Sequence, residues 1–225
     1  MSNGLFRLGA AMLVLLAISI PASADTLGIG DATTLDKLIS GEDIFVISDK
    51  QFDNFNYGPT GQSPLAGEVT VTGEFSDGMA GLRFNAGWNA QYPENLDWTL
   101  GYDVKIISGN LLITDIHLAA AISVEDGGYG IIQEQASDGS HIVGLASVNS
   151  NGKYEDTVDL EYPLSTVTIL KDLNLDASGG SGGATASFSI MDQYISQSAI
   201  PEPSALLLLG SGLLGAGITI RRRQR

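Results

Sequence analysis

There is no cysteine anywhere in the 225 residues. Disulfides, thiolate zinc sites and cysteine nucleophiles are therefore excluded, and packing must hold whatever folds. Histidine is nearly as scarce, with only His117 and His141 present. A two-histidine metal site would need a distant carboxylate to complete it, and each histidine sits in a strand-like pattern, so both read as surface or edge residues. Positive charge is short as well: of eleven Lys and Arg, Arg7 stands near the start and Arg221, Arg222, Arg223 and Arg225 at the end. That leaves Lys37, Lys50, Arg83, Lys105, Lys153 and Lys171 among 26 acidic residues, of which only Glu202 lies outside the same stretch. So acidic a middle repels nucleic acid and anionic lipid, and nucleic acid is excluded as a partner. No phosphate loop, nucleophile elbow or zinc helix is present, and no cofactor is implied. Calcium is the one ion the charge leaves open, although no Asp-x-Asp-x-Asp-Gly loop is there to hold it.

The long uncharged runs are confined to the two ends. Arg7 precedes an apolar run over 8–20, followed by Pro21 and the small triplet Ala22-Ser23-Ala24. This is the layout of a secretory signal peptide over 1–24, with cleavage expected after Ala24. At the other end, 205–220 is uncharged and is closed by Arg221, Arg222, Arg223 and Arg225. As a helix it would be about 24 Å long, slightly short of a ~30 Å hydrocarbon core, so it reads as a transient transmembrane segment. The arginines are the stop-transfer signal, holding a cytoplasmic tail at 221–225 and leaving the N-terminus and residues 25–199 outside. Pro201 and Pro203 keep the segment before the run extended and free of helix. Gly210, Gly212, Gly215, Ala216 and Gly217 either pack closely on another helix or simply weaken this one.

Pro201-Glu202-Pro203-Ser204, then a Leu- and Gly-rich run, then an arginine cluster, resembles the PEP-CTERM sorting signal over residues 200–225. The resemblance implies that Pro201, Glu202, Pro203 and Ser204 form the sorting and processing motif. It implies an exosortase-type membrane protease as partner, in a Gram-negative bacterium that makes exopolysaccharide. The chain would be anchored briefly in the inner membrane and then delivered to the cell surface, the extracellular matrix or a biofilm.

Residues 25–199 are enough for one domain with its own core. Leu35, Leu38 and Ile39 fall at helical spacing, with Thr33 and Thr34 available to cap and Gly41 just beyond, which predicts one short helix. The rest alternates. Trp98, Leu100, Tyr102, Val104 and Ile106 share one face, as do Ile116, Leu118, Ala120, Ile122 and Val124. Further runs lie at 44–48, 68–75, 81–85, 129–135, 142–148, 154–160, 167–175 and 184–194, giving about ten strands. Turn signals separate them at Asp77-Gly78, Asp126-Gly127-Gly128, Asp138-Gly139 and Asn151-Gly152. The expected class is all-β, an antiparallel β-sandwich or jelly-roll-like ectodomain with one short N-terminal helix; a barrel is the second choice. Gly179-Gly180-Ser181-Gly182-Gly183 reads as a flexible connection. The stretch 35–57, with Asp49-Lys50-Gln51-Phe52 and Phe55, also resembles the opening of a recurring PEP-CTERM ectodomain. That second resemblance implies architecture and supplies no active site.

Candidate chemistry in the ectodomain is sparse, and no Ser-His-Asp arrangement follows from spacing alone. Glu155, Asp156, Asp159 and Glu161 read as a solvated strand face, and Glu125 with Asp126 as turn chemistry. Phe84, Trp88, Tyr92, Trp98 and Tyr102 form an aromatic group that serves either the core or a sugar platform. Trp98 shares its parity with Leu100 and Val104 and belongs to the core. Trp88 and Tyr92, in what reads as a looser connection over 86–95, are the candidates for a ligand platform. These features favour a non-catalytic secreted surface or matrix protein associated with exopolysaccharide. A carbohydrate-binding module or adhesin is the alternative, and a glycoside hydrolase would need two carboxylates across a cleft.

Overall fold

A computed structural model of the chain describes residues 24–180 and 182–199. Residues 1–23 of the expected signal peptide, and the tail 200–225 with its expected transmembrane segment 205–220, lie outside the described residues. Among the described residues, no helix is long and apolar enough to cross a membrane.

In chain order the elements are β1 (Asp25–Leu27), β2 (Ala32–Thr34), α1 (Leu35–Ser40), β3 (Asp43–Ile47) and β4 (Lys50–Gly58). A 3-10 turn, Ala66–Glu68, leads to β5 (Thr70–Ser76), β6 (Met79–Gln91), β7 (Asn95–Ile106) and β8 (Leu111–Glu125). Then come β9 (Tyr129–Ser137), β10 (Ile142–Asn149), β11 (Glu155–Leu164), β12 (Thr166–Asp176) and β13 (Thr185–Ala199). They form two sheets, sheet A in the order β1-β3-β4-β7-β12-β9-β10 and sheet B in the order β11-β8-β13-β6-β5-β2. Every pairing is antiparallel except β1 with β3. This is the expected all-β, sandwich-like architecture.

The alternation seen in the sequence places the core. Trp98, Leu100, Tyr102 and Val104 of β7 and Ile116, Leu118, Ala120 and Ile122 of β8 are all buried, on opposite walls of one apolar interior. Tight reversals sit where Asp-Gly pairs predict them. Asp77 and Gly78 take φ of 51° and 81°, and Asp126 and Gly127 of 48° and 89°, the left-handed pairs that let adjacent antiparallel strands turn back.

The short helix forms where the spacing puts it and ends at Gly41, whose φ of 75° allows its N–H to reach the Leu38 carbonyl. Its start departs from expectation. Neither threonine caps it: the Thr34 hydroxyl donates to the Asp36 carboxylate and the Thr33 hydroxyl to Asp43. The Leu35 N–H instead meets the Val69 carbonyl at 2.9 Å, so tertiary contact replaces the cap.

A larger correction concerns the supposed loose connection over 86–95. Strand β6 continues to Gln91 and β7 begins at Asn95, leaving only a tight reversal between them. Phe84, Ala86, Trp88 and Ala90 all point inward, and Trp88 is 2% exposed against 1% for Trp98. The Trp88 ring stacks on Phe188 of β13 at 4.6 Å between centroids, and Phe188 in turn lies 5.6 Å from Trp98. The Trp88 indole N–H donates to the Tyr57 hydroxyl at 3.4 Å. Trp88 is thus a core residue, and its expected greater exposure does not hold.

Candidate functional site

The outer face of sheet B carries the concavity. Its rows follow from the register. Glu155, Ala119, Asp192, Arg83 and Thr72 lie side by side across β11, β8, β13, β6 and β5. The adjacent row holds Thr157, His117, Tyr194, Gly81 and Glu74. A bulge on β13 between Phe188 and Met191 changes its parity, so that Ser187, Ile190, Asp192 and Tyr194 face outward while Phe188, Met191 and Gln193 face the core.

Arg83 organises the centre of this face. Its Nε donates to Asp192 Oδ1 at 2.7 Å and a terminal nitrogen donates to Oδ2 at 3.0 Å, while Glu74 lies at 3.5 Å. These hydrogen bonds to Asp192, aided by the Asp192 and Glu74 charges, hold the guanidinium even more firmly protonated than usual. The Tyr194 phenol is pushed up by burial and by the charges of Asp192 and Glu74. Gly81 leaves room for the Tyr194 ring, which would stand 2.5 Å from a Cβ placed there. His117 Nδ1 and Thr157 Oγ1 share a hydrogen bond of 2.5 Å, a cross-strand pair typical of a solvated sheet face.

Beside this ion pair is a depression of about 740 Å³. Small side chains make its floor, with Ala119 and Ala121 from β8 next to Ile190, Arg83 and Asp192 form one side, and Tyr154 forms the other. Tyr154 is half exposed and sits just before β11, where its carbonyl accepts the Ala120 N–H at 2.9 Å. A second depression of about 320 Å³ shares Ala121 and adds Gly87, Asn89, Ser123, Ser187 and Ser189. The two adjoin along the strands as one shallow groove with a small-residue floor, hydroxyl and amide groups along it and the half-exposed Tyr154 at one end.

Of the residues singled out in the sequence, Tyr92 is exposed, at the reversal between β6 and β7, while Trp88 is buried, so the two offer no joint platform. The acidic group on β11 divides. Glu155, Asp159 and Glu161 face solvent, whereas Asp156 turns the other way, accepting the Ser147 N–H at 2.8 Å and pairing with Lys153 at 2.7 Å. His141 lies in the turn between β9 and β10 rather than in a strand, where Asp138 accepts the N–H groups of Ser140 and His141 at 2.8 Å each. With the Tyr162 hydroxyl donating at 2.5 Å, that carboxyl is held far below the usual range. Among the described residues, no group of three His, Cys, Asp or Glu stands close enough to hold a metal ion. Pro201, Glu202, Pro203, Ser204 and the terminal arginines lie outside the described residues.

Sequence reasoning missed Arg83, Asp192 and Tyr154. The one available signal was that Arg83 is the only arginine between Arg7 and Arg221.

The family model for the PEP-CTERM protein-sorting motif matches residues 199–223, so the chain carries that sorting signal and is marked for export and sorting at a membrane. No curated protein matches the sequence. Among solved structures, the fold is similar to TmCBM61 in complex with beta-1,4-galactotriose, at 12% identity and TM-score 0.32, covering 64% of this chain and 88% of that one. It is also similar to the C-terminal domain of a chitobiase from Bacteroides fragilis, at 12% identity and TM-score 0.30, covering 71% and 100%. TmCBM27, a carbohydrate-binding module that recognises mannan, aligns at 10% identity and TM-score 0.25, covering 74% and 96%. Likeness at this level carries no ligand from those proteins to this one.

Proposed function

We propose that this chain is a non-catalytic protein of the cell surface or extracellular matrix whose sandwich binds polysaccharide along the outer face of sheet B. A signal peptide ending at Ala24 exports it, and an exosortase-type protease processes it at the tail. The observation that carries the binding reading is the groove of small side chains between Tyr154 and the Arg83–Asp192 pair. A sugar chain needs an aromatic face for its C–H surface and fixed polar groups for its hydroxyls, and both line this groove. The Ala119 and Ala121 floor lets a polymer lie along the strands without a steric stop. Asp192 is committed to a bidentate bond with Arg83, which suits it to accepting sugar hydroxyls and not to acid–base work. The excess of acidic side chains disfavours uronate-rich polymers, so the ligand is a neutral glycan.

A glycan array probed with the purified protein, with and without calcium, tests this. The expected result is binding to neutral polysaccharides, unaffected by chelation and weakened about tenfold by Tyr154→Ala, the loss of one stacking contact. Silence in both arms would leave a structural protein with no glycan ligand.

A further inference from the structure

The interior of the sandwich is not wholly apolar. Lys171 of β12, Glu134 of β9 and Gln193 of β13 are each fully enclosed. Lys171 stands directly opposite Glu134 in the register of sheet A, and Gln193 reaches them from sheet B. The lysine Nζ donates to Glu134 Oε2 and to Gln193 Oε1, while Glu134 Oε1 has no partner. On the same inward faces their strand neighbours are apolar: Ile169 and Leu173, Ile132 and Ala136, Met191 and Ile195. A lone ion pair in such surroundings gives up several kcal/mol of hydration per ion, which makes it a weak choice for stability alone.

We propose that Lys171 and Gln193 become joined by an intramolecular isopeptide bond, formed by the folded chain itself with Glu134 carrying the protons. Burial holds the Lys171 amine well below the ordinary lysine range, so its proton passes to Glu134 along their hydrogen bond and its lone pair becomes available for attack. The amine nitrogen bonds to the Gln193 side-chain carbonyl carbon, and Glu134 donates a proton to the oxygen as charge develops there. Glu134 then relays the proton released by the attacking nitrogen to the amide nitrogen. The bond between the Gln193 carbonyl carbon and that nitrogen breaks, ammonia leaves, and the oxygen returns its proton to Glu134 as the carbonyl re-forms. A primary amide and an amine become a secondary amide and ammonia, with no oxidant, reductant or external cofactor. The departing nitrogen is loosely held, with one long contact of 3.4 Å to the Tyr194 carbonyl.

A second lysine, carboxylate and glutamine set, with an aspartate in place of the glutamate, provides an internal contrast. Lys50 Nζ donates to Asp49 at 3.2 Å and to Gln197, also on β13, but Gln197 is only partly buried. Burial lowers the Lys50 amine against the opposing Asp49 charge, and water reaching the half-buried Gln197 competes for its amide, so this pair stays uncoupled. One link, at Lys171, fastens a central strand of sheet B to sheet A in a chain that has no cysteine to do so. Strand β13 is also the one that runs into the sorting motif at 199–223, so force on an anchored tail enters the domain through it.

The test is a proteolytic digest of the denatured full-length protein read by tandem mass spectrometry. The peptides holding Lys171 and Gln193 should be missing in linear form and appear as one branched species, lighter than their sum by one ammonia, while Lys50 and Gln197 stay in linear peptides. Glu134→Gln should return both linear peptides. Linear Lys171 and Gln193 peptides from the wild type would overturn the proposal. So would a species lighter by one water that joins Lys171 to Glu134, and either result needs no variant to fold.

Discussion

Trp88 links four strands. Its ring stacks on Phe188 and, 6.4 Å away, parallels Trp98, and its N–H reaches Tyr57, so β6, β7, β13 and β4 all depend on one side chain. Trp88→Ala should cost about 3–5 kcal/mol in chemical denaturation, since the cavity is walled by strands that cannot collapse. On the outer face of sheet A, Asp172 and Asp97 lie diagonally across β12 and β7. Burial, a hydrogen bond to Asp97 and the Asp97 charge all raise the Asp172 pKa. Because the folded value lies above 3.8, the unfolded chain gives up its proton first as pH rises. Stability therefore falls through that window and stays lower above it. Asp172→Asn should raise the melting temperature at pH 7 and change it little at pH 3. Solvent screening limits the gain to roughly a few tenths of a kcal/mol, and scanning calorimetry at the two pH values checks it.

At the scale of elements, strands were legible wherever both faces kept their character, as in β7, β8 and β12. Strand β6 looks shorter in the sequence than it is because its outward positions Gly87 and Asn89 resemble loop residues, although Phe84, Ala86, Trp88 and Ala90 keep strict alternation. Strands β1 and β2 have three residues each, too few for a period to register. The β13 bulge flips parity mid-strand, which hid both the outward Asp192 and the inward Gln193. The groove was illegible for a further reason: Arg83 and Asp192 are 109 residues apart and meet only through strand pairing. That pairing of β6 with β13 depends on Gly81, where a Cβ would stand 2.3 Å from the Gln193 carbonyl oxygen. Gly81→Ala should cost about 1–3 kcal/mol by forcing the two strands apart, measured by urea denaturation.

For the whole molecule, the sorting motif and the sandwich are consecutive, since β13 ends at Ala199 and the motif begins there. We propose that Pro201 and Pro203 present this segment to a processing enzyme and that the terminal arginines resist translocation. Protein recovered from the surface of an exosortase-bearing host should lack residues 221–225 by intact mass, and alanine at both prolines should leave full-length chain in the inner membrane. A mature protein still ending at Arg225 would make the tail a permanent anchor. We propose that the delivered domain is retained by polysaccharide through the groove beside Tyr154. Affinity electrophoresis of the mature protein in gels cast with the exopolysaccharide of its own host tests this most directly. The wild type should be retarded relative to a blank gel and Tyr154→Ala should run nearly as in the blank, whereas equal mobility of the wild type in both gels, or equal retardation of the variant, would contradict it.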